Sequence, residues 1–348
     1  MNILILGASY GSLLSTKLLM AGHDVTLVCL PEEVKLINAR GTIVRLTLRN
    51  EPEPRLIRSG DQPGRLNAVT PEAASPDKCD LVCFAMQEPQ YQATAIAELM
   101  TRIAASGKPC LSIMNMPPHA YLKRLPLVDA EGLRDCFSAP EVWDAFDPDL
   151  VTLCSPDPQA FRPPEEELNF LHVGLPTNFK AAAFASPDHT SLLSQLAKDI
   201  DAVRIEGKEV PVKLRLHKSL YVPLAKWSML LTGNYRCVTA DGMRSIKDTV
   251  YGDVNRSQHI YEWVDALVQK LGADPSDRVP FEKYANAALK LLKPSSAARA
   301  IDAGAPNIER VDKLVQKIAA QYSMQLDEVD ATVSLVNNRL AQNNSVQA

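Results

Sequence analysis

Four stretches in the first third of the chain are nearly continuous in apolar residues: NILIL (2–6), DVTLVCL (24–30), DLVCFAM (80–86) and PCLSIMNM (109–116). Runs of this length predict strands buried on both faces, as in a parallel sheet. Helical periodicity fills the intervals, over 12–21 after the first run and 91–104 after the third. The order strand, helix, strand is that of a βαβ unit. Residues 130–205 alternate short apolar runs (LVTLCS, LNFLHVGL) with Pro-rich stretches, which predicts extra, partly antiparallel strands at the edge of the same sheet. From about residue 211 the pattern turns helical, with predicted helices over 216–233, 248–271, 280–293 and 307–322. The expectation is an α/β Rossmann-type domain with extra edge strands over 1–210, followed by an all-α domain over 211–348.

A chain of 348 residues is long enough for two domains. Net charge is −4 with the basic residues spread out, which gives no surface suited to nucleic acid. The seven cysteines include no CxxC pair and several lie in apolar runs, a pattern of reduced, buried thiols and a cytoplasmic protein. No basic region precedes the first apolar run, so no signal peptide is expected, and no segment is long enough to span a bilayer. The polar tail NNSVQA is expected to fray.

The stretch after the first strand is Gly7, Ala8, Ser9, Tyr10, Gly11, Ser12. A dinucleotide cradle needs small residues for its bend, for close approach of backbone to pyrophosphate, and for helix packing on strand. Gly7 suits the bend and Gly11 the helix contact, although their spacing is one residue shorter than in GxGxxG. Ser9 stands near the place of the central glycine and offers a hydroxyl. The same stretch also reads as a plain strand-to-helix corner. At the end of the second strand, where an acid or a base commonly selects NAD or NADP, stands Leu30. Glu32 and Lys35 are near enough to contribute and do not decide between the two.

Further along, Asn115 ends the strand run IMNM, and Lys226 is followed eight residues later by Asn234 in KWSMLLTGN. With the glycine turn and AGHDVTLV, these residues resemble the ketopantoate reductase family over most of the chain. The resemblance implies NADPH-dependent reduction of a 2-oxo acid to a 2-hydroxy acid, NADH not being excluded. It also implies a helical domain like that of 6-phosphogluconate dehydrogenase, a small-molecule oxo acid as partner, and a homodimer. It makes Lys226 the general acid, and has Asn115 contact nicotinamide ribose and substrate while Asn234 opens the segment NYRCVTA. Ungapped alignment puts Ser295 and Asn307 on the family's substrate-binding Ser and Glu.

The chain departs from the family at three places near the expected site. Leu230 replaces an Asn four residues after the lysine, Asn307 replaces the Glu, and Met86 replaces a lysine after the third strand. Glu309 is a substitute carboxylate whose side chain, on a helix, should point elsewhere. Lys218 is the fallback donor as an earlier cation of the same helix, and His119 reads either as a residue at the pocket mouth or as a solvated histidine at a helix start. Thr177, Asn178 and Lys180 suggest a loop beside the cleft. No histidine or cysteine spacing suits a metal. Two rivals stand beside the reductase: an opine- or hydroxyacid-dehydrogenase-like enzyme acting on a larger or imine substrate, and a non-catalytic dinucleotide sensor.

Overall fold

The computed structural model describes residues 1–347. Chain contacts divide it into two compact units: residues 1–86, 90–121 and 141–218 form the first, and 87–89, 122–140 and 219–348 the second.

The first unit holds strands β1 (Asn2–Leu6), β2 (Asp24–Val28), β3 (Ile43–Thr47), β4 (Pro54–Arg58), β5 (Leu66–Val69), β6 (Leu81–Phe84), β7 (Cys110–Ile113), β8 (Val151–Ser155), β9 (Gln159–Phe161), β10 (Phe170–Leu175), β11 (Phe179–Ala182), β12 (Arg204–Ile205), β13 (Lys208–Glu209) and β14 (Leu214–His217). Its helices are α1 (Gly11–Met20), α2 (Pro31–Arg40), α3 (Thr94–Ser106), α4 (His119–Leu122) and α5 (Pro187–Ala202). Eight strands make the main sheet in the order β14-β11-β8-β7-β6-β1-β2-β5. All neighbours are parallel except β8 with β11.

The expected edge strands are divided between two sheets. β8 and β11 extend the main sheet, whereas β9 and β10 join β3 and β4 in a separate four-stranded sheet of order β4-β3-β10-β9. The alternating run IVRLT of β3 carried a strand signal that a reading centred on continuous apolar runs passes over. The second sheet has a consequence for α1. Leu13, Leu14, Leu18 and Leu19 share one apolar core with β1 and β2, with Val44 and Leu46 of β3 and with Leu193, Leu196 and Ile200 of α5. Packed from several sides, α1 buries nine of its ten residues, Lys17 among them.

The second unit holds α6 (Lys226–Met229), α7 (Ile246–Tyr251), α8 (Val254–Lys270), α9 (Phe281–Ala288), α10 (Ser296–Asp302), α11 (Val311–Gln321) and α12 (Asp327–Gln347), with one short ladder, β15 (Val238–Thr239) and β16 (Gly242–Met243). The single helix expected over 216–233 is not formed. Residues 214–217 are β14, and the chain then winds through a 3₁₀ turn (Val222–Ala225), α6, a π turn (Leu230–Asn234) and another 3₁₀ turn (Tyr235–Cys237). Pro223 is one cause: proline cannot sit inside a helix but suits its first turn, where the structure places it. The helix expected over 248–271 breaks at Gly252, and Asp253 caps α8 by accepting from the Arg256 amide at 2.9 Å. The tail expected to fray is taken up by α12 as far as Gln347. Among the described residues no helix is long and apolar enough to cross a membrane.

Candidate active site

The first unit supplies a turn shaped by two glycines. Gly7 has φ +100°, a region that side chains strain, and a β-carbon there would lie 2.7 Å from the Ala85 carbonyl oxygen and 2.8 Å from Met86 Cγ. At Gly11 a β-carbon would lie 2.8 Å from Ile5 Cγ2. Gly7 thus makes the bend and Gly11 lets α1 settle on β1. Ala8 is buried and Ser9 exposed, so the Ser9 hydroxyl is open to a ligand. The Ser12 hydroxyl donates to the Ala8 carbonyl, which ties it to the turn itself. Tyr10 points into the protein: its hydroxyl donates to the Pro158 carbonyl at 2.6 Å and its ring meets Phe179 edge-on at 6.0 Å. Burial holds the Tyr10 phenol well above its ordinary range. Tyr10 therefore anchors the turn to the connection after β8.

At the end of β2, Leu30 is 60% exposed. Glu32 and Lys35 are exposed as well, and Glu33 turns inward. One Glu33 oxygen accepts from the Leu30 amide at 3.1 Å, closing the N-terminus of α2, and the other pairs with Arg162 Nη1 at 2.6 Å. Arg162 follows β9, so the second sheet delivers it. The sequence pointed to neither residue: the Leu30 and Glu33 spacing is a readable capping signal, but a partner 129 positions away is not.

Met86, half-buried, stands against Gly7, and Asn115, also half-buried, follows β7 at the carboxyl end of a parallel strand, where open α/β sheets bind ligands. His119 is fully buried at the start of α4, so the expectation of a solvated histidine does not hold. Lys218 is exposed just after β14 and lies on no helix, because the chain there leaves a strand and the expected helix over 216–233 does not form. The expected loop over 174–184 contains β11, whose Lys180 pairs with Asp157 at 2.9 Å, and the Asn178 side chain accepts from the Lys213 amide at 2.9 Å. Both polar groups serve the sheet edge.

The second unit supplies Lys226 and Asn234. Between Val222 and Val238 only Lys226, Met229 and Asn234 keep partial exposure, so these three share one face. An uninterrupted α-helix would carry the eighth following residue about 80° round from Lys226. The π turn winds less per residue and brings Asn234 back into line; such turns recur at functional sites. Ser295 lies under this face, 3% exposed. Its hydroxyl donates to the Asn234 carbonyl at 2.7 Å and accepts from the Ala298 amide, capping α10.

Asn307 is exposed in an extended stretch that precedes α11. Glu309 lies in the same stretch and on no helix, contrary to expectation, and it is buried. Its carboxylate accepts from the Glu88 amide at 3.3 Å, and its backbone carbonyl accepts from the hydroxyl of Tyr235, the neighbour of Asn234. The Glu88 carboxylate accepts from the amide and hydroxyl of Ser138 at 2.8 and 3.0 Å, while burial pushes its carboxyl up.

No protein-family model and no curated protein matches this sequence. Solved structures do. A ketopantoate reductase of the PanE/ApbA family from Ralstonia eutropha JMP134 aligns over 99% of this chain and all of its own at 15% identity, with a TM-score of 0.68. A 2-dehydropantoate 2-reductase from Methylococcus capsulatus aligns over 99% of this chain and 98% of its own at 13% identity and a TM-score of 0.68. A D-mandelate dehydrogenase solved with NADH and anilino(oxo)acetate aligns over 99% of both chains at 13% identity, with a TM-score of 0.65. The chain has the fold of these hydroxyacid-type oxidoreductases, a Rossmann domain followed by a helical domain, as its motifs led us to expect.

Proposed function

We propose that the protein is a nicotinamide-dependent reductase that converts a 2-oxo acid to a 2-hydroxy acid. The observation that carries this reading is the shared, partly exposed face of Lys226, Met229 and Asn234, in a chain whose other unit holds a turn that a β-carbon would fill. Gly7, Ala8, Ser9, Gly11 and the first turn of α1 suit a pyrophosphate, because the small residues let a phosphate approach the backbone and the helix dipole favours negative charge there. A reduced nicotinamide, when bound, supplies the hydride. Lys226 holds the proton at Nζ, gives it to the substrate's carbonyl oxygen and stabilises the negative charge developing there. Asn234, braced from behind by Ser295, and Asn115 orient the substrate. We assign the carboxylate role to buried Glu309 in preference to exposed Asn307.

Met229 lies between the two polar residues of that face, and Leu230 is core. The partly exposed Met229 favours a 2-oxo acid with an apolar substituent, and ketopantoate is the second reading. The test is turnover of a panel of 2-oxo acids by Lys226→Ala. We expect kcat to fall by about 10²- to 10⁴-fold with cofactor affinity retained. Turnover within a few-fold of the unaltered protein would remove Lys226 from the mechanism, and no turnover of any oxo or imino acid by the unaltered protein would favour the non-catalytic sensor.

A further inference from the structure

Asn234 and Tyr235 are neighbours in the chain with opposite surroundings. Asn234 ends the π turn on the partly exposed face, while Tyr235 is 3% exposed. The Tyr235 hydroxyl donates to the Glu309 carbonyl at 2.5 Å and accepts from the Val311 amide at 3.0 Å. One side chain thus does for the stretch before α11 what a neighbouring strand would do, answering a backbone acceptor and a backbone donor together. Buried backbone groups are nearly always answered, and removing this hydroxyl takes a partner from each. Burial, reinforced by the charges of Asp312 and Glu309, holds the phenol well above its ordinary range, so the donor keeps its proton through neutral pH. The same stretch is braced from other sides. Arg310 Nε and Nη2 donate to the two oxygens of fully buried Asp312, each at 2.9 Å, and Nη1 donates to Asn337 Oδ1 of α12 at 2.6 Å. Glu309 Oε1 accepts from the Glu88 amide.

We propose that Tyr235 is a positioning residue for the reduction: its hydroxyl holds the stretch that carries Glu309 in register with the face that carries Lys226 and Asn234. This rests on the reductase reading above and goes beyond it by naming what sets the carboxylate against the proton donor. A misplacement of about 1 Å at a reacting centre costs on the order of 10²-fold in rate, so a single buried hydroxyl acts at this distance through the groups it holds.

The test is a double-mutant cycle between Tyr235→Phe and Glu309→Gln in the full chain, read as kcat and KM with phenylpyruvate, 4-methyl-2-oxovalerate and ketopantoate. We expect Tyr235→Phe to lower kcat by about tenfold or more while cofactor affinity stays within about twofold, because the glycine turn lies in the other unit. In the Glu309→Gln background the same change should cost about twofold or less, because the carboxylate it would misplace is gone. A merely structural tyrosine would lower the melting temperature and cost the same factor in both backgrounds, which would overturn the proposal. Turnover by Tyr235→Phe or by Glu309→Gln within about twofold of the unaltered protein would overturn it as well. These results leave the reductase reading standing, since Lys226→Ala tests that separately. No turnover of any oxo or imino acid by the unaltered protein would overturn both. Should Tyr235→Phe fail to fold, Asn337→Ala takes its place in the cycle, because it removes the exposed brace on Arg310 and loosens the same stretch from α12. A loss of about threefold or more that vanishes with Glu309→Gln is then expected, and no loss, or an equal loss in both backgrounds, would overturn the proposal.

Discussion

Ser295 makes two hydrogen bonds with one hydroxyl, to the Asn234 carbonyl and from the Ala298 amide. Its side chain is consequently turned away from solvent, and its effect on chemistry passes through Asn234. Ser295→Ala removes both bonds, and a lost cap of this kind costs about 1–2 kcal/mol. Denaturant unfolding should show that loss, and Ser295→Thr, which keeps the hydroxyl, should recover most of it. Equal losses for Thr and Ala would show that the hydroxyl is not what matters. At this scale the sequence was partly legible. Gly7 and Gly11 announced their roles because glycine is needed where the backbone bends to φ +100° or where Ile5 leaves no room for a side chain. Tyr10 and Arg162 did not, because each is defined by a partner more than a hundred positions away, the Pro158 carbonyl and Glu33.

The stretch from Val222 to Cys237 shows the limit of periodicity as a guide to elements. Its apolar density predicted one long helix, and the chain forms 3₁₀, α and π turns in succession because local sterics decide the winding. Gly233 is one of those local terms. A β-carbon there would lie 1.9 Å from the Tyr284 hydroxyl, which donates to the Met229 carbonyl at 3.2 Å across the π turn. Gly233→Ala should therefore destabilise by about 1–3 kcal/mol, the usual range for overpacking. Tyr284→Phe alone should lose about 1 kcal/mol with its hydrogen bond. Their combination should cost less than the sum, because the phenylalanine removes the atom that the new methyl meets. Additive losses in a double-mutant cycle would place the clash elsewhere. A similar lesson applies to the four-stranded sheet: β3 was passed over because its alternating pattern marks a half-covered strand, unlike the continuous runs that revealed β1, β6 and β7.

For the molecule as a whole, the order of the buried strands was enough to give the Rossmann sheet and the helical second half, since continuous apolar runs fix what must be covered. Which segments do the covering was not legible, because it depends on pairings such as β3 with β10 that no local pattern records. Lys17 follows from that covering. It sits 1% exposed in α1, its ammonium donating to the Val210 and Pro211 carbonyls at 3.4 and 3.0 Å. Burial, with Lys213 adding repulsion and Asp201 opposing it, lowers its pKa to about 7. The unfolded chain keeps this lysine protonated up to about pH 10.4, so between pH 7 and that value the unfolded state binds more protons than the folded one. Stability from this group must then rise with pH across that window, by about 1.4 kcal/mol per unit. Below pH 7 both states are charged and the group contributes no pH dependence. Lys17→Met removes the titration, so the stability difference between the unaltered protein and this variant should move toward the unaltered protein by about 2–3 kcal/mol from pH 7 to 9, read from urea unfolding at each pH. A difference that stays constant over that range would mean that the ammonium is solvated in the folded protein, and that the segment at Val210 and Pro211 covers it less completely than the packing indicates.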